Sequence, residues 1–289
     1  MNCSPDIFLL EAVLNGVLLA GLLALLSLGL NLVFGVIDVI WICYAEVVMI
    51  GMYGVYYFHN ELGLALLVAC ALGVALTAVV GGILHIIVIR PLLKAAPINQ
   101  LLATGGVLVF LQASATMAFG VEFRNIGVSL GSISVLDMYF SNAKIVTFII
   151  ALLAMAGLAL FLKCTYTGMA IQALRQDREV MPLIGVNSSR IYTITSTIGG
   201  GLAGLAAVLM TLQFDIYPYI GLQFGPLIFL VCVLGGLGNL IGGFIAALII
   251  AQLITLGGSC FSTEWGYAIA FLFFIVVMFI RPQGLLGKK

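Results

Sequence analysis

Apolar residues dominate this chain in long runs, separated by short polar breaks. Ile7 to Gly35, Leu64 to Ile89, Ile98 to Phe119, Ala143 to Leu162, Ile191 to Leu212 and Trp265 to Ile280 each read as a membrane-crossing helix. Two regions are less regular. Asp38 and Glu46 lie in an apolar setting within Val36 to Glu46, and Val47 to Phe58 is too short to cross alone. A broken or re-entrant helix beginning near Ile40 is therefore expected. Leu222 to Leu234 and Leu240 to Leu256 are two apolar segments parted by GGLGN, Gly235 to Asn239.

The breaks are a turn at His59-Asn60-Glu61, a stop at Arg90-Pro91 with Lys94 beyond, and a mixed loop from Gly120 to Asn142. A Tyr- and Pro-rich turn follows at Gln213 to Gly221, then a polar turn from Gly257 to Glu264. The pattern predicts an all-α polytopic membrane bundle of about nine transmembrane segments, within a range of eight to ten, some broken or re-entrant. One domain covers residues 1–289. No repeat of fixed period is present, and two halves of inverted topology are no more than suggested.

The longest polar interruption, Lys163 to Arg190, carries four of the eleven basic residues (Lys163, Arg175, Arg178, Arg190) together with Asp177 and Glu179. Flanked by apolar helices, it must lie in water at one face of a membrane. Apolar positions 170, 171, 173, 174, 180, 181 and 183 suit a short amphipathic helix over Ala170 to Leu183, ended or kinked by Pro182 and Gly185. Such a helix offers a docking surface to a soluble partner; a solvated connector is the plainer reading.

Composition narrows the class. With 63% hydrophobic and 8% charged residues over 289, the chain carries more apolar surface than a soluble domain can hide. Its surroundings are membrane lipid. Zero formal net charge argues against a nucleic-acid partner. The 34 glycines suit helices that pack closely through small residues. Six cysteines at 3, 43, 70, 164, 232 and 260 form no CxxC pair and read as small core residues, not as a disulfide or metal framework. The first apolar segment is too long for a cleavable signal and reads as a retained helix.

Charge also sets orientation. If Arg90, Lys94, the central loop and the tail are cytoplasmic, that face holds nine of the eleven Lys and Arg, leaving Arg124 and Lys144 opposite. Asp6, Glu11, Glu61, Glu122, Asp137, Asp215 and Glu264 then lie outside. Nine crossings put the N-terminus outside and the C-terminus in the cytoplasm.

Motifs for catalysis are missing. No GxxxxGK[ST] pattern occurs, His59 and His85 are isolated, and nothing supports a Ser-His-Asp arrangement. The chain reads as a non-enzyme. Glu46 is the most informative single residue, because a carboxylate at membrane depth is costly and tends to face a water-filled path or a partner. It is a path-lining acid, a group at the interface, or one that burial neutralises. Asn15, Asn31 and Gln112 either line a polar path or bond between helices.

Several stretches together resemble the permease subunits of branched-chain amino-acid ABC importers. They are NGVLLAGLLALLSLGLNLVFGVI, RPLLKAAPINQLLATGGVLVFLQ, GMAIQALRQDREVMPLIGVNSSRIYTIT, GGLGNLIGGFIAALI and RPQGLLG, in the family's order and across most of the chain. The resemblance implies that Gly168 to Gly185, with Ala170, Arg175, Asp177 and Glu179, forms a coupling loop that docks on a separate ATP-hydrolysing subunit. It also implies a second related permease, an external substrate-binding protein and a bacterial-type inner membrane. No cofactor belongs to this chain, and ATP is used by the partner.

One segment departs from the pattern. Where related chains commonly read INFAHGE, this one reads IWICYAE, Ile40 to Glu46. Asn, His and Gly are replaced by Trp41, Tyr44 and Ala45, which opens the substrate to other amino acids, urea or short amides. The rival readings are a secondary transporter or channel, for which Glu46 and Asp38 are thin support, and a membrane enzyme.

Overall fold

The structure, a computed structural model, describes residues 5–287 apart from 94, 129, 136–137, 179, 182–184 and 261. Eleven helices account for most of it: α1 (Pro5–Ile37), α2 (Tyr44–Tyr56), α3 (Leu66–Leu84), α4 (Arg90–Leu92), α5 (Pro97–Phe119), α6 (Asn142–Cys164), α7 (Tyr166–Gln176), α8 (Ser188–Thr211), α9 (Ile220–Gly235), α10 (Leu240–Cys260) and α11 (Thr263–Ile280). Two π-helical turns, Tyr57–Glu61 and His85–Ile89, extend α2 and α3. The all-α membrane bundle expected from sequence is present. Six helices are long and apolar enough to cross a membrane, fewer than the nine segments expected. Ile220–Gly235 and Glu264–Ile280 are apolar but shorter, and α2 has 13 residues.

Two departures from the sequence reading are local. The loop 120–142 contains an antiparallel hairpin, β1 (Ser132–Val135) paired with β2 (Met138–Ser141), which the strong helical patterning on either side hides. The amphipathic helix of the charged loop runs from Tyr166 to Gln176, not from 170 to 183. It starts early because Thr165 caps it, its side chain accepting from the Gly168 N–H at 3.0 Å. It stops early because Asp177 turns to an extended conformation (φ −148°, ψ 111°). Pro182 and Glu179 lie outside the described residues, and Gly185 stands beyond the helix at φ +87°.

Contacts between the helices fix two ends of the bundle. At one end, Gly35 closing α1 sits on Gly238, the turn 235–239 takes the tail, and Arg178 reaches Asp38 at 3.6 Å. The α7 helix lies at this end, with the Arg175 guanidinium beside Gly238. At the other, the hairpin end, the Tyr139 N–H donates to Glu11 and Arg124 approaches Glu61 at 4.0 Å. The first and last described residues therefore stand at opposite ends.

Helix α2 does not start at an end. The Tyr44 hydroxyl donates to the Gly199 carbonyl at 3.5 Å. Gly199 lies well inside α8, roughly 16 Å from its start at ~1.5 Å per residue. Chain 38–43 therefore runs back into the bundle, after Asp38 ends α1 in the left-handed region (φ 59°) that short polar side chains tolerate. α2 then runs from mid-depth to the hairpin end. Its counterpart is α9, which begins at the level of Glu46, where Gly221 meets the carboxylate, and runs to the α7 end.

The order long helix, break, short helix, long helix, final helix thus occurs twice, as α1–α2–α3–α5 and α8–α9–α10–α11, with direction reversed. α1 packs chiefly on α10 and α3 on α8, so exchanging the two sets maps one pair onto the other. This is the inverted relation between halves that the sequence could only suggest. Close packing rests on glycine, since lipid tails give apolar helices no drive to associate. A methyl on Gly200 or Gly81 would meet backbone of the opposing helix at 2.5 Å and 2.8 Å. Buried Thr77, Thr147 and Thr195 return their hydroxyl protons to carbonyls four residues back, which removes their polar cost.

Candidate functional site

Two places gather the residues singled out from sequence. The first is where the half-helices meet. Glu46 stands in the first turn of α2 and is fully buried at 0% exposure. Its Oε1 accepts from Gln112 Nε2 of α5 at 3.0 Å, while its Oε2 has no hydrogen-bond partner among the described residues. Gly221, in the first turn of α9, leaves room for the carboxylate: a methyl there would fall 2.5 Å from Glu46 Cδ and 2.6 Å from Oε2. Both half-helices point their N-termini toward this spot, where the positive end of the helix dipole favours negative charge.

Asn31 is not part of that arrangement. Its Oδ1 accepts from the Gly238 N–H at 3.2 Å, so it ties α1 to the α9–α10 turn at the α7 end. A sequence view could pair any of the three buried amides and acids; only Glu46 and Gln112 meet. What sequence reasoning missed is Gly221. A glycine in an aromatic turn gave no signal that it faced a carboxylate.

Beside this contact lies an apolar cavity of about 350 Å³ between chain 40–45, α5 and α9, walled by Trp41, Tyr44, Ala45, Leu108, Gly225 and Pro226. Its aromatic walls are held in place. Trp41 Nε1 donates to Cys43 Sγ at 3.0 Å, and the Trp41 and Tyr44 rings meet edge to face at 5.6 Å.

The second place is α7 and its surroundings. Gly168, Ala170, Ile171 and Leu174 face inward and are buried, whereas Tyr166, Met169, Arg175 and Asp177 are exposed. Gly168 is obligatory here, since a methyl would strike the Phe161 carbonyl and come within 2.6 Å of Leu162 Cα. The helix is thereby pressed onto the end of α6. Asp177 Oδ1 accepts from the Val180 N–H at 3.1 Å and shapes the turn that follows. The tail closes over the α9–α10 turn, with the Leu285 N–H on the Leu234 carbonyl at 2.7 Å and Asn239 Nδ2 on the Leu286 carbonyl at 2.9 Å. The quoted stretches FGVI, GMAIQALRQ, GGLGN and RPQGLLG thus converge at one end of the molecule.

A polytopic bundle with broken half-helices meeting at mid-depth and an amphipathic helix laid across one end fits the membrane component of a transport system. The chain matches the family described as branched-chain amino acid transport system / permease component over residues 12–278, and it belongs to that family. It is 29% identical over 300 residues to the high-affinity branched-chain amino acid transport system permease protein BraD of Pseudomonas aeruginosa, covering 98% of each chain. It is 28% identical to the corresponding protein LivH of Salmonella typhimurium, over 98% of this chain and 96% of that one. LivM of the same organism, also named a permease protein of that system, is 25% identical over 91% of this chain and 67% of its own.

Proposed function

We propose that this chain is the membrane permease subunit of an ATP-binding-cassette importer, moving branched-chain or similar apolar amino acids delivered by an external binding protein. The observation that carries the reading is α7. It is a capped, amphipathic helix pinned by Gly168, and its exposed residues Tyr166 and Met169 lie on the side opposite its buried Gly168, Ala170, Ile171 and Leu174. An ATP-hydrolysing subunit docks on this face, and the loop 163–190 transmits its movement; Glu179 and Gly185 belong to the same loop. ATP is bound by that partner, and this chain carries no cofactor. A second, related permease completes the membrane unit, a pairing supported by the similarity of LivH and LivM to the same chain.

Nine crossings account for the geometry when α2, α9 and α11 are counted with the six long helices. The α7 end then lies in the cytoplasm with the C-terminus, and the hairpin end lies outside with the N-terminus. Glu46 and Gln112 line the translocation path at mid-depth, and Asn31 holds the path wall to the α9–α10 turn.

Charge reversal at Arg175 and Asp177 tests the docking face. The expected outcome is loss of the ATPase subunit from affinity-purified complex, with the chain still inserted. Unchanged co-purification and uptake would overturn the role of α7. Recovery of wild-type chain alone from its native membrane under mild detergent would overturn the importer reading itself.

A further inference from the structure

The cavity beside Glu46 sits where the two inverted halves bring their short helices together. In transporters built from inverted repeats, discontinuous helices at mid-depth mark where the solute is held. The position of this cavity meets that condition: Ala45 and Gly221 line it, and their immediate partners are Glu46 and the opposing half-helix. Its volume of about 350 Å³ falls within the ~300–1,000 Å³ of small-molecule sites, and its walls are hydrocarbon and aromatic.

Glu46 is not itself a wall residue; its carboxylate stands directly behind Gly221, which is one, and supplies the polar half. A fully buried carboxylate with one oxygen unpartnered among the described residues is costly to maintain and gains most from a charged donor. A lipid tail in the cavity would bring no such donor. An amino acid brings both parts, an ammonium group and an apolar side chain, one carbon apart. Of the five positions at which this chain departs from the related pattern, four, Trp41, Ile42, Tyr44 and Ala45, are wall residues.

The geometry points to a cargo site in which Glu46 receives the ammonium of an amino acid and the Trp41–Tyr44–Ala45 cavity receives a bulky apolar side chain, aromatic rings included. The inference rests on the importer reading for its physiological sense, since it names which cargo the path fits. Trp41 and Tyr44 set the size and offer ring faces and edges to an aromatic cargo. Gly225 keeps the opposite wall open: a methyl there would sit 3.4 Å from Ala45 Cβ and fill part of the space.

The chain has two tryptophans, so Trp265→Phe leaves Trp41 as the sole indole reporter. The full chain in lipid nanodiscs is titrated with leucine, phenylalanine, glycine and 4-methylpentanoate, which carries the leucine side chain without the ammonium. Leucine and phenylalanine are expected to shift Trp41 emission saturably, and glycine not at all. Both 4-methylpentanoate with the Trp265→Phe chain and leucine with added Glu46→Gln should need about tenfold or more higher concentration, the scale of a lost charge-assisted hydrogen bond. Ala45→Leu, which fills the cavity without touching the carboxylate, should abolish the phenylalanine response.

Equal responses to leucine and 4-methylpentanoate would overturn the ammonium site. An unchanged phenylalanine response in Ala45→Leu would overturn the side-chain site. No response to any amino acid, or a response only to a change of lipid acyl chain, would overturn both. Co-purification of the ATPase subunit is scored on the same preparations. Loss of that association in wild type with a persisting leucine shift would sink the importer reading and leave the cavity standing; the reverse result would sink the cavity alone.

Discussion

At the scale of single residues, Glu46 and Gly221 of the two half-helices share one tight space. Glycine is needed at 221 for space, because any side chain would occupy the carboxylate's volume. Gly221→Ala is expected to destabilise the folded protein in detergent by about 1–3 kcal/mol, the usual cost of overpacking a filled site. In a Glu46→Ala background the same change should cost little, giving a coupling of roughly 0.5–3 kcal/mol across the double-mutant cycle. Additive effects would show that the two residues do not share one space. Glu46 was legible in the sequence because a carboxylate in an apolar run stands out. Its partner Gln112 was legible only as one of several buried amides, and the choice between Gln112 and Asn31 needed the fold. The two lie 66 and 15 residues from Glu46, and neither distance says which is adjacent.

At the scale of elements, the long helices were readable directly, whereas α2 and α7 were readable as short helices but not in where they start and stop. An apolar run of twenty residues has one solution in a bilayer, a helix with all its backbone bonds satisfied internally. The 13-residue α2 and the 11-residue α7 are set by local chemistry: Asp38 in the left-handed region, Thr165 as a cap, Gly168 as a point of close approach. Apolar periodicity alone placed α7 four residues late. The hairpin 132–141 escaped for a related reason, as four-residue strands carry too few alternations to be told from a loop. Gly168→Ala is expected to lift α7 from α6, because the struck atoms are backbone and cannot swing aside. ATPase-subunit recovery should then fall while membrane insertion is retained. Thr165→Ala removes the cap alone and should cost about 0.5–2 kcal/mol of stability. Its recovery of ATPase subunit should stand between wild type and Gly168→Ala; a loss equal to Gly168→Ala would place the critical contact at the cap.

At the scale of the whole molecule, the fold gathers the basic segments at one end, as the proposed orientation requires. Lys and Arg crowd the segments that the fold brings to the α7 end, while Glu11, Glu61 and Asp215 meet partners at the hairpin end. Two native cysteines turn this into an experiment. Cys164 closes α6 beside α7, and Cys260 closes α10 at the opposite end; both are exposed, and Cys43 and Cys232 are buried. In a Cys3→Ser, Cys70→Ser background, a membrane-impermeant maleimide added to intact cells should label Cys260 and spare Cys164. Inside-out vesicles should give the converse. Labelling of Cys164 from outside would invert the protein and place α7 where no cytoplasmic ATPase could reach it. Labelling of both from one side would mean that α8 to α10 make an even number of passes from Cys164 to Cys260. That outcome would remove α9 from the crossings and reduce the paired halves to unequal ones. The expected result, one cysteine per side, requires an odd number of crossings, which α8, α9 and α10 together supply in the arrangement that lets α9 mirror α2.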